Sequence, residues 1–325
     1  MQTREQTLNN WVSELFSEPF SIKPLAGDAS FRRYYRLHIQ DQSYIVMDAP
    51  LEKEDLTTFL FVQTLLEQAD IRVPLCLEKN IEQGFLLLSD FGDQLLLDQV
   101  TPANTQQLYR QALDLLAQLQ QIKPALLDAL PAFDTTHIQL ELSYFKDWFL
   151  ETYLNLTLSQ DETALLQHTF QVLAETIQQQ PQVLIHRDYH SRNIMCLTNN
   201  TLGLIDFQDA MRGPIGYDLV SLLKDCYIQW PEERLTDWIS YFHQHHIVPM
   251  RLGLDQPILT QYIELCGLQR HLKVLGIFSR LSIRDHKPLY LQHLPLTLHY
   301  VMASIQNTPL FHDLHQFMRC RVALP

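Results

Sequence analysis

The segment from Val183 to Asp206, VLIHRDYHSRNIMCLTNNTLGLID, constrains this chain more than any other. It reads as an apolar strand, a polar loop His186-Arg187-Asp188, four residues and Asn193. An apolar strand follows (Ile194 to Leu197), then a polar turn (Thr198 to Thr201) and a second apolar strand ending at Asp206. Two short apolar strands joined by a polar turn double back as a hairpin, and the hairpin sets Asn193 beside Asp206. A bare His-Arg-Asp would mean little. The tripeptide, the gap, the amide, the hairpin and the second acid, arriving in this order, form the loop pattern of phosphoryl transfer.

The residue types suit that chemistry. Phosphoryl transfer asks for positioning and for neutralisation of phosphate oxygens more than for covalent catalysis. Asp188 is placed to accept the hydrogen bond of an attacking hydroxyl and to take its proton late. Asn193 and Asp206 offer hard oxygens to Mg²⁺, an ion that keeps several waters and uses few protein ligands. His186 reads as a structural brace of the loop. Asp90-Phe91-Gly92 spells a kinase metal triplet but precedes the loop by almost a hundred residues. It falls in a connector, where Asp90 serves as a cap or hinge.

Composition narrows the class. The 325 residues are 46% hydrophobic and 19% charged, an ordinary globular mixture with room for two lobes. A net charge of −13 repels nucleic-acid backbones and anionic lipid surfaces, so neither is an expected partner. Five scattered cysteines without a CxxC pair point to reduced thiols rather than a disulfide framework or zinc ribbon. The polar N-terminal residues carry no signal-peptide core, and no run approaches the ~20 apolar residues of a membrane span. The expected compartment is the cytoplasm.

Along the chain, residues 32–40 and 43–47 read as strands, with turn chemistry at Gly27 to Ser30 before them. Apolar residues recur at helical spacing from Glu54 to Gln68, and a further strand spans Phe85 to Leu88. Helical periodicity then dominates over 101–121, 139–157, 161–179, 232–246 and 258–280. The expected architecture is α+β and bilobal. A small β-rich N-lobe covers 1–88, a hinge connector 89–94, and a large, mainly helical C-lobe 95–325. His243, His245 and His246 cluster without a Cys, Asp or Glu at ligand spacing, which favours a surface helix end over a zinc site.

With these residues in hand, the chain resembles the aminoglycoside phosphotransferase superfamily, small-molecule relatives of protein kinases. The resemblance runs through GDASFRRYYRL, LLLSDFGD, HRDYHSRNIM, LGLIDFQDA and RGPIGYDLVSLLKDCY. More narrowly, HRDYHSRN, IDFQDAMRGPIGYDLVSLL and GLQRHLKVLGIFSRL are similar to the anomeric sugar kinases of cell-wall recycling. Those enzymes phosphorylate the C1 hydroxyl of N-acetylmuramate and N-acetylglucosamine. The resemblance implies the protein-kinase-like fold, ATP with Mg²⁺ as cofactors, Asp188 as base, and Asn193 and Asp206 as metal ligands. It also implies that Asp218 bonds back to the catalytic-loop backbone, a role compatible with capping the helix that follows. A monomer is the favoured state.

One departure stands out. Kinases carry a lysine on the third strand paired with a glutamate on the next helix, but here Met47 holds the lysine position and apolar residues such as Phe59 and Phe61 stand where the glutamate belongs. Losing both together avoids a lone charge in the cleft. Phosphate neutralisation then falls to Mg²⁺ with Lys53, Arg32 or Arg33. No GxGxxG loop is present; backbone amides of Asp28, Ala29, Ser30 and Phe31 are the candidates for approaching phosphates. These residues, with Arg32, Arg33 and Asp90, are the nucleotide-side candidates. If the acceptor is N-acetylmuramate, its carboxylate calls for a cation, and Arg270 and Lys273, at i, i+3 on one helix, supply a candidate face; the alternative is a solvated basic face. The short stretch between Asp206 and Asp218 leaves little room for a peptide platform, which favours a small acceptor over a protein. Choline, homoserine or an aminoglycoside are the alternative acceptors, and an inactive nucleotide-binding module is the remaining reading.

Overall fold

The computed structural model describes residues 3–25, 31–306 and 308–324. It divides into two compact units, Met1–Gln94 with Met195–Gln208, and Leu95–Ile194 with Asp209–Pro325.

The first unit is built on a five-stranded antiparallel sheet of β1 (Phe20–Pro24), β2 (Arg33–Ile39), β3 (Gln42–Asp48), β4 (Cys76–Asn80) and β5 (Phe85–Ser89). Their spatial order is β1-β2-β3-β5-β4. Strand alternation splits this sheet into two chemically distinct faces. One carries Tyr35, Leu37, Ile39, Tyr44, Val46, Phe85 and Leu87, and packs against α1 (Arg4–Leu15) through Leu8, Trp11 and Val12. Arg4 pins α1 by pairing with the buried Asp48 at 2.6 Å and by lying over the Phe85 ring. The opposite face carries Tyr34 and Met47, which lie directly across from one another on β2 and β3. After β3, Asp55 caps α2 (Leu56–Gln68) by accepting from the Thr57 amide. A short hairpin follows the loop segment, with β7 (Ile194–Cys196) paired to β8 (Leu202–Leu204).

The sequence reading gave this unit one helix and missed α1. The signal was present: Thr3 and Gln6 form a capping box, and Leu8, Trp11 and Val12 recur at helical spacing. Strands β1 and β4 were missed as well. Each has five residues and a mixed burial pattern, so neither carries a clean alternation.

The second unit is mainly helical. Its central helix, Gln256–Ile283, is buried at every position from Leu265 to Gly276. A helix enclosed on all sides loses the one-sided polarity that marks surface helices. It packs on the helix Thr135–Tyr144 and its π-helical continuation Phe145–Tyr153. Gly276 permits that approach, since a Cβ there would lie 2.2 Å from the Tyr144 carbonyl carbon. Strand β6 (Gln182–Ile185) pairs antiparallel with β9 (Met211–Pro214), and β6 delivers the chain to His186. β9 leads into the helix Gly216–Leu223. The terminal helices Leu294–Gln306 and His312–Arg321, which the periodicity argument passed over, complete the unit. The expected α+β class, with a sheet-containing N-terminal part and a largely helical C-terminal part, is the observed one. Among the described residues, no helix is long and apolar enough to cross a membrane.

Candidate active site

In the second unit, the loop after β6 is held by buried acids. Asp218 is fully buried in the first turn of the helix Gly216–Leu223, whose N-cap is Ile215. It therefore does not cap this helix. Its two carboxylate oxygens instead accept the His186 amide at 2.6 Å and the Arg187 amide at 3.1 Å. Burial pushes the Asp218 carboxyl up to about 7, against these two donors and Arg270, which favour the charged form. Seven residues on, Asp225 accepts from the Ser191 amide at 3.0 Å and from its hydroxyl at 2.5 Å. The sequence argument did not single out Asp225. Asp225 lies beyond the end of that helix, past Lys224 with φ −114° and ψ 52°, so helical spacing does not tie it to Asp218.

These tethers hold an unusual backbone. Arg187 sits in the left-handed region with φ 75°, which costs a non-glycine residue about 1–3 kcal/mol and persists only where the surroundings over-determine it. Its guanidinium pairs with the buried Glu141 at 2.6 Å, and its carbonyl accepts from Arg270 Nη1 at 2.6 Å. His186 is buried, edge-on to Tyr189 at 6.0 Å between ring centres, and Tyr189 donates to the Ala112 carbonyl at 2.7 Å.

The strained turn presents Asp188, whose side chain is 43% exposed while the Arg270 side chain beside it is 5% exposed. Arg270 Nη1 and Nη2 both lie 3.4 Å from Asp188 Oδ1. Desolvation raises the Asp188 pKa, but Arg270, then Lys273, His190 and Arg187, outweigh it and hold the carboxyl well below the usual range. Asn193 Nδ2 donates to the Asp188 carbonyl at 3.0 Å, which fixes the amide plane and turns Oδ1 the other way. The fold thus brings Asp188, Asn193, His186, Asp218 and Arg270 to one loop.

Lys273 does not join them as a cation awaiting a ligand. It is buried, and its ammonium pairs with Glu141 at 2.8 Å. Of the two readings of the Arg270 and Lys273 face, the solvated one fails outright, because the helix carrying them is enclosed. Glu141, from the helix Thr135–Tyr144, gathers Arg187, Lys273 and Gln269 around one carboxylate. Sequence gave no sign of this, as the partners lie 46 and 128 residues away from it.

In the first unit, Asp206 follows β8 with φ 61° and accepts from Gln208 Nε2 at 3.0 Å. Its neighbour Phe207 is buried against Phe59 of α2, with ring centres 4.9 Å apart. Asp90 accepts the Gly92 amide at 2.8 Å and pairs with Arg36 Nε at 2.7 Å, while Arg36 also reaches Asp93. It closes a turn and anchors a cation. Asp28, Ala29 and Ser30 lie outside the described residues. Phe31 is exposed with Lys53 over its ring, and Arg33 is exposed at the start of β2. Arg32, just before β2, pairs with Glu54, just before the α2 cap, at 2.5 Å. An ion pair thus joins the segments just ahead of β2 and α2, while Met47 on β3 and Phe59 on α2 are apolar and buried. His243, His245 and His246 bond to the Leu254 carbonyl, the Tyr241 carbonyl and Asp114 respectively.

Comparison with known proteins extends this picture. The model of a family described as "Phosphotransferase enzyme family" matches residues 21–252. The N-acetylmuramate/N-acetylglucosamine kinase of Pseudomonas aeruginosa is 36% identical over 329 aligned positions, covering 97% of this chain and 96% of that protein. The protein of the same name from Pseudomonas putida is 35% identical over 328, with the same shares covered. Among solved structures, the choline kinase LicA from Streptococcus pneumoniae superposes with a TM-score of 0.64 at 13% identity, covering 92% of this chain and 99% of that one. Likeness at that identity concerns the fold alone, and the fold is kinase-like.

Proposed function

Because this chain belongs to the phosphotransferase enzyme family, we propose that it is an ATP- and Mg²⁺-dependent kinase acting on the anomeric C1 hydroxyl of an amino sugar in cell-wall recycling. N-acetylmuramate and N-acetylglucosamine, named in its relatives, are the proposed acceptors. The reaction belongs in the cytoplasm, where ATP is available, and the five free thiols suit a reducing compartment.

The carrying observation is the placement of Asp188, open to solvent on one side and braced by Arg270 on the other, where the surrounding cations favour its charged form. A carboxylate held this far below its usual pKa is a weak ground-state base. It is suited to accept a hydrogen bond from the acceptor hydroxyl, aim its oxygen, and receive the proton late, once bond formation to phosphorus has made the alcohol acidic. Asp218 and Asp225 keep the loop in the strained conformation that points Asp188 outward. The donor chemistry of Asn193 and Asp206 fits Mg²⁺. Both present hard oxygens, and the Asn193 amide is oriented by its bond to the loop. When bound, Mg²⁺ neutralises charge developing on the phosphate oxygens.

The test is ATP consumption by the purified chain against a panel of amino sugars, choline, homoserine and aminoglycosides, with phosphorus NMR of the product. A sugar 1-phosphate is expected. Asp188→Asn is expected to lower kcat roughly 10²–10⁴-fold with the melting temperature little changed. Turnover of only non-sugar acceptors would overturn the substrate, and full activity in Asp188→Asn would overturn the base.

A further inference from the structure

The Arg32–Glu54 pair joins the segments that lead into β2 and α2. Its side chains are 9% and 12% exposed, so two full charges have given up most of their water. A buried ion pair contributes little net stability, because desolvation consumes most of the Coulombic gain and apolar residues of similar size would serve the fold as well. The pair's neighbours suggest what it is kept for. Tyr34 sits two residues on from Arg32, hydrogen-bonds to it, and feels the charge of both Glu54 and Asp206. Tyr34 is also the direct cross-strand partner of Met47, the position where a third-strand lysine is missing. Arg32, Tyr34, Glu54, Met47 and Asp206 all belong to one compact unit. A guanidinium, a carboxylate just ahead of α2 and an acid proposed to bind metal therefore gather around Tyr34, across from the position where a third-strand lysine is absent.

We propose that Arg32 binds the nucleotide phosphates in place of the absent strand-three lysine, and that Glu54 is its positioning residue. This rests on the ATP-dependent reading above. The chemistry suits the exchange. A lysine–glutamate pair in kinases contacts phosphate while it is paired, so pairing does not disqualify Arg32. The planar guanidinium fork matches phosphate oxygens better than an ammonium does. Two carboxylates nearby, in a chain of net charge −13, would repel a polyphosphate unless a cation stood among them. Of the three cations considered from sequence, Lys53 and Arg33 are exposed, whereas the Arg32 side chain lies in the interior. Buried Met47 leaves the lysine position of the third strand without a cation to compete with Arg32.

The experiment is calorimetric titration of the full chain with ATP, ADP and adenosine, each with Mg²⁺ and again in excess EDTA. In Arg32→Gln, ATP and ADP affinities are expected to fall about 10–100-fold, while adenosine stays within about twofold of wild type. EDTA should preserve that difference, because Arg32 acts on the phosphates directly. Arg32→Lys keeps the pair with Glu54 and loses only the fork, so it is expected to fold in any case and to weaken ADP about 3–10-fold. Glu54→Gln is expected to lose part of the phosphate-dependent affinity, again sparing adenosine. An unchanged ADP-to-adenosine ratio in Arg32→Gln, or in Arg32→Lys should the former not fold, overturns the assignment. An unchanged ratio in Glu54→Gln overturns its positioning role. Wild-type protein that binds no ADP at all would sink the kinase reading itself, an outcome distinct from both.

Discussion

Glu141→Gln isolates the electrostatic support beneath the catalytic loop. Glu141 is 3% exposed, with Arg187 at 2.6 Å, Lys273 at 2.8 Å and Gln269 at 2.9 Å from its carboxylate oxygens. Glutamine keeps the volume and removes the charge, leaving buried Lys273 and partly buried Arg187 without their shared anion, close to a third cation, Arg270. Breaking a buried network from one side in this way costs about 3–5 kcal/mol. At 325 residues that corresponds to a fall in melting temperature of roughly 4–7 °C. The double variant Glu141→Gln with Lys273→Met removes one orphaned cation and should recover part of the loss. Acid pH supplies a second readout. Burial raises the Glu141 pKa, but Lys273, His137 and Arg187 together hold it well below the ordinary value. The unfolded chain then binds the proton first as pH falls, so stability rises with pH between the folded and unfolded pKa values. The contribution is complete above the unfolded value, about 4.3, and is lost as pH falls toward the folded one. Glu141→Gln should flatten that limb of the melting profile. Arg187 would also lose the anchor of its left-handed backbone, so kcat should fall more than KM changes. A melting temperature within about 3 °C of wild type, with the acid limb intact, would refute the reasoning.

Arg270→Met should raise the Asp188 pKa and shift the acid limb of the kcat profile to higher pH, measured against wild type under saturating substrates; an unmoved limb would mean that Arg270 does not set the charge of Asp188. Asp225→Ala leaves the Ser191 amide and hydroxyl without their shared acceptor. It should cost about 1–3 kcal/mol by urea denaturation and lower kcat through loosening of the loop. Gly276→Ala forces a methyl into the Tyr144 backbone, so the melting temperature should drop by an amount equivalent to about 1–3 kcal/mol or more.

What the sequence determined by itself is whatever local order encodes. The strand–loop–strand–turn–strand run from β6 to β8 is written in contiguous apolar segments and turn residues. The helices Leu56–Gln68 and Gln160–Gln178 are written in their periodicity, and the latter also in the Ser159 capping box. Candidate roles for Asp188, Asn193 and Asp206 could be read because phosphoryl-transfer chemistry depends on spacing within a couple of dozen residues. Charge partners were not legible in this way. Arg270 and Lys273 looked like an open basic face because i, i+3 spacing reveals which residues share a helix side but not what that side meets. Tertiary packing decided it, enclosing the helix Gln256–Ile283 and setting Glu141 against Lys273 from 132 residues away, a distance in sequence that no periodicity spans. The same holds for Arg32 and Glu54, which the sheet and α2 bring together. Local propensity fixes the direction of a side chain; only the assembled core fixes its dielectric surroundings and its counter-charge, and these decide whether a cation is solvated, structural or aimed at a phosphate.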